Sequence, residues 1–304
     1  MNFYGQELPV FKANLHTHTT LSDGKFSASE VITLYREAGY DVLAFTDHWQ
    51  TNPVSSYDAQ GMTLLSGIEL HPGGPRNISW HFLALGVPED FEPSREWQAQ
   101  ECADAILNAG ANFFIAHPYW CALTSAEVLT IKGALGLEVY NTATRYVGRA
   151  SNMQIWDECL DFGARYTAIA VDDVHAARDL FRGFTMVCAK DNSPESILAA
   201  LQAGQFYASQ KPLIHSLNYQ NNIFTADFSA CQEVLLVCNR PRKFPGTLVL
   251  DSEGPGTRPQ TMTHLEVDLS NLPSGYYVRL QIQDSEGNYA WSNPIFPAAE
   301  SAGQ

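Results

Sequence analysis

The 304-residue sequence lacks any uninterrupted apolar segment long enough to span a membrane as a helix, so a membrane-spanning protein is not expected. Its first residues, MNFYGQELPVFK, have neither the basic region nor the apolar region of a secretory signal peptide. The six cysteines are scattered and never adopt the CxxC spacing of many zinc and redox sites. Together these features predict a cytoplasmic protein whose thiols are reduced and form no disulfide bonds.

Basic residues are also scarce, because 18 lysines and arginines stand against 33 aspartates and glutamates, for a formal net charge of −15. A surface of this sign repels nucleic acids and anionic membranes, and no basic stripe along the sequence offsets it. We therefore expect no nucleic acid and no membrane as partners, whereas a small-molecule substrate is compatible with this charge. The oligomeric state is not indicated by any feature of the sequence.

What the sequence does contain, up to about Gly204, is an alternation of short apolar runs and amphipathic segments, which is typical of an α/β fold. Helices are predicted over 27–39, 94–109, 150–163 and 193–204. The apolar runs, each a predicted strand, cover residues 10–15, 41–46, 62–68, 81–87, 111–116, 135–140 and 167–172. Beyond these runs, short alternating segments separated by Pro, Gly, Asn and Ser predict a small antiparallel β-sandwich. The sequence thus predicts two domains, residues 1–210 and 211–304.

The first apolar run leads into the stretch NLHTHTTLSDG, Asn14–Gly24. Residues at i and i+2 of a strand point to the same face, so His16 and His18 are expected to project together. The Ser-Asp-Gly sequence at 22–24 is typical of a turn, which would bring Asp23 back over the two imidazoles. Two imidazoles and one carboxylate indicate a metal site, although a polar loop could contain the same residues.

Acids and histidines also stand at the ends of other predicted strands. They are His48 after the second run, Glu69 after the third, His117 after the fifth, and Asp173 and His175 after the seventh. In a closed parallel barrel all strand ends open on one face, where active sites of such barrels are built. His81 departs from this pattern because it stands at the start of the fourth run. Either that run is oriented differently or His81 reaches the site from the other side.

Five of these segments, HTHTTLSDG, FTDHW, SGIEL, IAHPYW and VDDVH, occur in the order typical of a known family. They resemble the motifs of the polymerase and histidinol phosphatase (PHP) family of metal-dependent hydrolases, over residues 12 to about 210. The resemblance implies a distorted seven-stranded (β/α) barrel. The segments ALQAGQFYASQKPLI and AWSNPIF are similar to a carbaryl-hydrolase-like branch, whose members carry a C-terminal β-sandwich.

The resemblance further implies nine metal ligands and two to three divalent ions, Zn²⁺, Mn²⁺ or Fe²⁺. The first ion would be held by His16, His18, Glu69 and Asp173, the second by Glu69, His81 and His117, and the third by Asp23, His48 and His175. Asp23 stands where histidinol phosphatases have a histidine. Because a carboxylate is a harder ligand than an imidazole, the sequence leaves the occupancy and identity of the third ion open.

Such a centre predicts hydrolysis by a metal-activated hydroxide, because ions bridged by Glu69 would lower the pKa of a shared water. Catalytic roles are expected for Glu69, Asp173 and His175, and no Ser or Cys stands in a nucleophile-elbow motif. The loop after the sixth run carries Arg145 and Arg149, which are predicted to grip a phosphate. The alternative is that these two arginines are solvated and cap the next helix.

The charge of the centre bears on the substrate. The nine ligands carry a charge of about −3, so three divalent ions would bring the centre to about +3 and two ions to about +1. The first case suits a phosphate ester, and we predict a small-molecule phosphoesterase of EC 3.1 type. The second case suits an uncharged carbamate, amide or ester, which is the alternative. A non-catalytic binding module is a third possibility, which a broken ligand set would favour.

Overall fold

The computed structural model describes residues 1–239, 247–249 and 261–297. The chain divides into two compact units, one formed by Val10–Ala208 and the other by Met1–Pro9 together with Ser209–Gln304. Within the described ranges, every helix is too short or too polar to cross a bilayer. All six cysteines lie in these ranges; they are buried and form no disulfide.

The elements are numbered in chain order. The strands are β1 (Asn2–Phe3), β2 (Gln6–Glu7), β3 (Val10–Asn14), β4 (Val42–Phe45), β5 (Thr63–Leu70), β6 (Phe82–Leu85), β7 (Asn112–Ile115), β8 (Gly136–Asn141), β9 (Thr167–Val171), β10 (Phe184–Cys188), β11 (Phe206–Ser209), β12 (Ile214–Gln220), β13 (Ile223–Cys231), β14 (Glu233–Cys238), β15 (Thr247–Val249), β16 (Met262–Asp268), β17 (Val278–Gln283) and β18 (Tyr289–Ser292). The helices are α1 (Ala28–Glu37), α2 (Ala99–Asn108), α3 (Ser125–Val128), α4 (Met153–Asp161) and α5 (Pro194–Gln202).

The Val10–Ala208 unit is built on one sheet with the strand order β11-β10-β3-β4-β5-β6-β7-β8-β9. The pairs β3–β4, β4–β5, β7–β8 and β8–β9 are parallel, as expected of βα units. The strand β6 is antiparallel to both of its neighbours, β5 and β7. This reversal decides the question about His81: the start of β6 lies at the sheet edge where β5 and β7 end, because Phe82 pairs with Leu70 and with Ile115.

The longer helices cover this sheet because each presents an apolar face to it. The helix α1 begins with a capping box between Ser27 and Glu30 and buries Val31, Ile32 and Tyr35. These residues pack into a core with Leu43 and other apolar side chains of the sheet. A second core contains buried residues of most strands of the unit and the apolar face of α5. The packed cores hold the strand ends in fixed positions, which is what a precise site requires.

The predicted α/β class is confirmed, and each of the seven apolar runs forms a strand. The sequence did not predict β10 and β11. In the described residues the strand ladders do not close into a ring, so the seven-stranded barrel stays a prediction. The segments that follow β3 and β9 nevertheless meet, because the amide of His18 donates to the carbonyl of Val174 and the amide of Asp173 to that of His16, both at 3.1 Å.

The other unit consists of strands in the residues that the structure describes. Five of them are ordered β16-β13-β12-β1-β2, and β15-β14-β17-β18 are also adjacent in that order. All pairs are antiparallel except β1 with β12. The sequence assigned the first nine residues to the first domain. The structure places them in this unit instead, because β1 hydrogen-bonds along β12.

Candidate metal centre

His16 and His18 follow directly after β3, and both side chains are fully buried. Their Nε2 atoms lie 3.0 Å apart, so the two rings converge on one point. The hydrogen bonds to Val174 and Asp173 hold the intervening backbone on both sides. The structure therefore brings the first pair of predicted ligands together at the carboxyl end of the strand.

Glu69, at the end of β5, is buried and stands between two sets of imidazoles. Its two oxygens face different sets. Oε2 lies 3.3 Å from Nε2 of His16, 3.3 Å from Nε2 of His18 and 3.0 Å from Nδ1 of His48; Oε1 lies 2.7 Å from Nδ1 of His81 and 3.2 Å from Nε2 of His117. A carboxylate that presents its oxygens to two histidine sets has the arrangement that a bridging ligand needs.

Asp173 follows β9 and completes the buried part of the cluster. Its Oδ1 lies 3.3 Å from Nε2 of His16 and 3.1 Å from Nε2 of His18. The backbone of Asp173 has φ of +53°, in the left-handed region that a side chain with a Cβ rarely adopts. Such strain persists only where the surroundings impose it, and here it directs the carboxylate at the two imidazoles.

Asp23 meets His48 and His175 at the solvent side of the cluster. Its Oδ1 lies 3.4 Å from Nε2 of His175, and its Oδ2 lies 3.7 Å from Nε2 of His48. The turn packs against His18, since a Cβ on Gly24 would come within 2.4 Å of the His18 carbonyl oxygen. Glycine at this position is therefore required for the turn to bring Asp23 over the site.

Asp47 holds the loop that carries Asp23. Its Oδ1 accepts hydrogen bonds from the amide of Thr19 at 2.8 Å and from the amide and hydroxyl of Ser22 at 3.1 and 2.5 Å. Its Oδ2 accepts from the hydroxyl of Thr19 and from the side-chain Nδ2 of Asn52. These hydrogen bonds position the turn, and none of them is made to an imidazole.

Glu138 is a site residue that the sequence analysis missed. It is fully buried in β8, where its carboxylate faces His16 Nδ1 at 2.6 Å and accepts the backbone N–H of His117 at 2.7 Å. An acceptor behind Nδ1 places the proton there and leaves Nε2 of His16 free to ligate. Cys121 stands similarly behind His117, with 3.5 Å between Sγ and Nδ1. The available signal for Glu138 was a single acid inside an otherwise apolar strand, LGLEVY.

The electrostatics of the buried cluster favour bound positive charge. Burial alone would lower the pKa of His16, but the carboxylates of Asp173 and Glu69 outweigh it and hold the pKa well above its usual range. Burial alone would raise the pKa of Glu69, but the charges of His16 and His81 hold it well below. Asp173 behaves in the same way, because His16 and a hydrogen bond from His18 overcome its burial and lower its pKa.

The side chains also fit a divalent ion chemically. Within the described structure, His18 Nδ1 is buried and makes no hydrogen bond. Buried polar atoms without partners are rare, and ligation is one way to satisfy them. Three or more potential ligand atoms approach within 4.8 Å of one another in the groups His16–His18–Glu69 and His18–Asp23–His48–His175. Imidazole nitrogens and carboxylate oxygens are the donors that Zn²⁺, Mn²⁺ and Fe²⁺ accept.

A cavity of about 280 Å³ opens over this cluster. Besides candidate ligands, it is lined by Trp120, Ala143, Thr144, Arg178 and Asp179. Arg178 is the one lysine or arginine among these lining residues. The sequence analysis did not single it out, because an exposed arginine in a loop has no local signature.

Arg145 and Arg149, predicted to grip a phosphate, do not line the cavity. The guanidinium of Arg145 donates to the carbonyl of Arg178 at 2.7 Å, and that of Arg149 donates to the carbonyl of Tyr119 at 3.0 Å. These contacts hold neighbouring loops, and the grip on a phosphate by Arg145 and Arg149 stays a prediction. Arg178, by contrast, is among the residues that line the cavity.

Comparison with known proteins supports the fold. No protein-family model and no curated protein matches this chain. A two-domain protein from Bacteroides vulgatus, described as containing a predicted PHP-like metal-dependent phosphoesterase, superposes with a TM-score of 0.54 at 17% identity, covering 95% of this chain and 96% of its own. Two further matches have TM-scores below 0.5, too low to support an argument about fold or function. An amidohydrolase from Chromobacterium violaceum has a TM-score of 0.44 at 17% identity, covering 54% of this chain and 88% of its own. A lesion-specific endonuclease from Pyrococcus furiosus has a TM-score of 0.45 at 16% identity, covering 64% of this chain and 56% of its own. The resemblance to PHP-like metal-dependent phosphoesterases that the motifs indicate is thus confirmed at the level of the fold.

Proposed function

We propose that this protein is a metal-dependent hydrolase that acts on phosphate esters of small molecules. The observation that carries the proposal is the position of Glu69, whose two oxygens face separate histidine sets beneath one open cavity. Buried clusters of this composition are costly unless they bind a cation. All nine candidate ligands lie in the Val10–Ala208 unit, and we assign the activity to that unit.

The ligand set proposed for two to three divalent ions is that implied by the resemblance. It comprises His16, His18, Asp23, His48, Glu69, His81, His117, Asp173 and His175. When bound, divalent ions at these residues would supply a water of lowered pKa and a positive field over the bond under attack. The carboxylates of Glu69 and Asp173 are held ionised by the imidazoles around them. Glu138 and Cys121 keep two of those imidazoles oriented from behind.

Arg178 is the proposed contact for the phosphate. Its guanidinium packs on the ring of Tyr146, with Cζ 4.4 Å from the ring centroid, while 67% of the side chain remains exposed. Its own carbonyl is held by Arg145 and by the hydroxyl of Tyr146. Its Nε lies 3.7 Å from Oδ1 of Asp179, and its other N–H groups are available at the cavity wall. An arginine with a fixed backbone and exposed donors of this kind is suited to bind an anion.

A carbamate, amide or ester hydrolase is the second candidate, and the exposure of Asp23 favours it. With 55% of its side chain exposed, Asp23 holds a third ion less firmly than the buried carboxylates hold theirs. If only two ions are bound, the centre carries about +1, a bound hydroxide would bring it near neutral, and it would tolerate an uncharged substrate. The occupancy of the third site therefore separates the two candidates.

Metal analysis combined with a substrate screen tests the proposal. The purified protein is expected to contain two to three divalent ions per chain. Exhaustive chelation should abolish hydrolysis, and Mn²⁺, Fe²⁺ or Zn²⁺ should restore it. The screen should place phosphate esters above carbamates, amides and carboxylic esters. Full activity in demonstrably metal-free protein, or turnover of carbamates alone, would contradict the proposal.

The role of Arg178 is tested with Arg178→Met. Because charge-assisted hydrogen bonds contribute about 1.5–3 kcal/mol, KM for a phosphate monoester should rise roughly 10- to 100-fold. Arg182→Met is the matched control, since Arg182 is exposed nearby but does not line the cavity. Equal effects of the two substitutions would indicate a general change in surface charge and not a phosphate contact.

A further inference from the structure

The loop from His117 to Ala122 is strained at both ends. His117 has φ of +26° and Ala122 has φ of +60°, values that residues with a Cβ seldom adopt. Main-chain hydrogen bonds from Cys121 to His117 at 3.2 Å and from Leu123 to Pro118 at 2.9 Å close the loop. Backbone strain of this kind concentrates at functional sites, so the residue that the loop presents is of interest.

That residue is Trp120. Its side chain is 43% exposed although it lines the cavity over the candidate metal centre. The indole stands nearly perpendicular to the rings of His117 and His81, with centroids 5.1 and 5.5 Å away. These contacts fix the orientation of the indole and leave much of its surface in water. Exposing a large aromatic surface is unfavourable unless a ligand covers it.

The neighbouring Tyr119 provides an internal comparison. It is exposed to a similar degree, 45%, but it does not line the cavity. Its ring is covered by the guanidinium of Arg149 at 5.0 Å, and the same arginine holds its carbonyl. The ring of Tyr119 is thus covered by another side chain of the protein, whereas Trp120 faces the cavity in which a substrate would bind.

The cavity is open and also small. Its volume of about 280 Å³ lies just below the roughly 300–1,000 Å³ of pockets for drug-sized ligands. Ala143 and Thr144 contribute small side chains to the wall. A phosphate and one ring are therefore better suited to this cavity than a long or branched molecule.

We propose that Trp120 selects phosphate esters whose leaving group carries a planar ring, which stacks on the indole. This inference rests on the proposed phosphoesterase function and names its substrate class. In the reaction a P–O bond forms from water, the P–O bond to the leaving group breaks, and a proton of the water is transferred to the released alcohol. Trp120 takes no part in these bond changes and acts on binding of the leaving group.

The test compares benzyl phosphate with cyclohexylmethyl phosphate. Both release a primary alcohol of similar size, and they differ in whether the ring is planar and aromatic. With the metal-loaded full-length protein, kcat/KM should favour benzyl phosphate about five- to tenfold, the ratio that corresponds to one aromatic contact. Trp120→Leu, which keeps an apolar side chain without a ring, should reduce this ratio to about one. Trp120→Phe should retain most of it, and Tyr119→Ala should leave it unchanged.

Binding of benzylphosphonate and cyclohexylmethylphosphonate, measured by calorimetry, separates this inference from the proposed function. If neither ester is hydrolysed but benzylphosphonate binds more tightly and Trp120→Leu removes the difference, the recognition stands and the phosphoesterase proposal fails. If both esters are hydrolysed at equal rates, or if Trp120→Leu lowers both kcat/KM values equally, the inference on Trp120 is overturned while the function stands. If neither hydrolysis nor a binding preference is seen, both are overturned.

Discussion

Two parts of the candidate metal centre differ in how the protein holds them. The inner group consists of His16, His18, Glu69 and Asp173, whose side chains are at most 6% exposed. The outer group consists of Asp23, His48 and His175, whose side chains are 55%, 24% and 30% exposed. Both groups have imidazole and carboxylate donors, so the difference between them lies in their surroundings.

The surroundings determine how tightly each group is expected to bind metal ions. The inner group is shielded from water, and Glu138 fixes His16 from behind at 2.6 Å. Electrostatic interactions are stronger there, because the effective dielectric constant is low and salt does not screen them. The outer group relies on a turn that Asp47 holds in place. We therefore expect tightly bound ions at the inner group and an exchangeable ion at the outer group.

The largest effect is expected from Glu69→Gln, which removes the charge that faces both histidine sets. Because two ions would share this carboxylate, both should be lost together, and turnover should fall by on the order of 1,000-fold or more. Metal content by mass spectrometry and steady-state kinetics provide the measurement. Glu37→Gln, on the exposed surface of α1, is the control. Loss of only one ion would contradict the bridging position.

Glu138→Gln should have the next largest effect, because it weakens the inner group without removing a ligand. Second-sphere partners of this kind typically change metal affinity by about 10–100-fold. The affinity for Zn²⁺ should fall by this amount in a competition titration, with ion stoichiometry unchanged at saturation. An unchanged affinity would reduce Glu138 to a packing residue and would remove one reason for the difference between the two groups.

The inner group should also respond to pH. Burial lowers the pKa of His18, but hydrogen bonds from His18 to Asp173 and Glu69 outweigh it and raise the pKa to about 9. Since a ligating imidazole must be neutral, metal affinity should rise by up to about tenfold per pH unit until pH 9. Calorimetry in two buffers of different ionisation enthalpy should detect proton release on binding. Proton uptake or no exchange below pH 8 would contradict the raised pKa.

In metal-free protein the raised pKa of His18 also affects stability. Raising the pH lowers the free energy of unfolding, whereas it strengthens metal binding. His18 takes up its proton more readily in the folded state than in the unfolded state, where its pKa is about 6.5. Its contribution to the free energy of unfolding is therefore complete below about pH 6.5 and is lost as the pH rises through about 9. Thermal unfolding of metal-free protein across this range checks the sign.

The smallest effect on metal binding is expected from Asp23→Asn, because its carboxylate is more than half exposed. The third ion should bind roughly tenfold more weakly while the inner ions remain, since exposed charges are screened. Phosphate ester turnover should decrease and carbamate turnover should not, if the charge of three ions is what selects a phosphate. Unchanged metal content and turnover would leave Asp23 as a turn residue and would favour the carbamate or amide hydrolase.

Much of the fold could be predicted because the signals for individual strands and helices lie in neighbouring residues of the sequence. Seven apolar runs became β3 to β9, and the capping box at Ser27 starts α1 where expected. The segments FTMVC of β10 and FYAS of β11 are short and carry small or polar residues, so they gave weak strand signals. The assignment of the first nine residues depended on a pairing between β1 and β12, more than 200 positions apart, which no local pattern encodes.

The sequence by itself determined which residues stand at strand ends, because side-chain periodicity and turn chemistry are properties of neighbouring residues. It thereby identified His16, His18 and Glu69 as candidates before any contact was known. Only the tertiary structure decided that β6 runs in reverse and brings His81 to the site, since an apolar run has no direction. The tertiary structure likewise placed Glu138 behind His16, because that hydrogen bond joins residues 122 positions apart in the chain. Strand direction, second-sphere contacts and exposure depend on packing between distant segments, and these are what separate the inner group from the outer group.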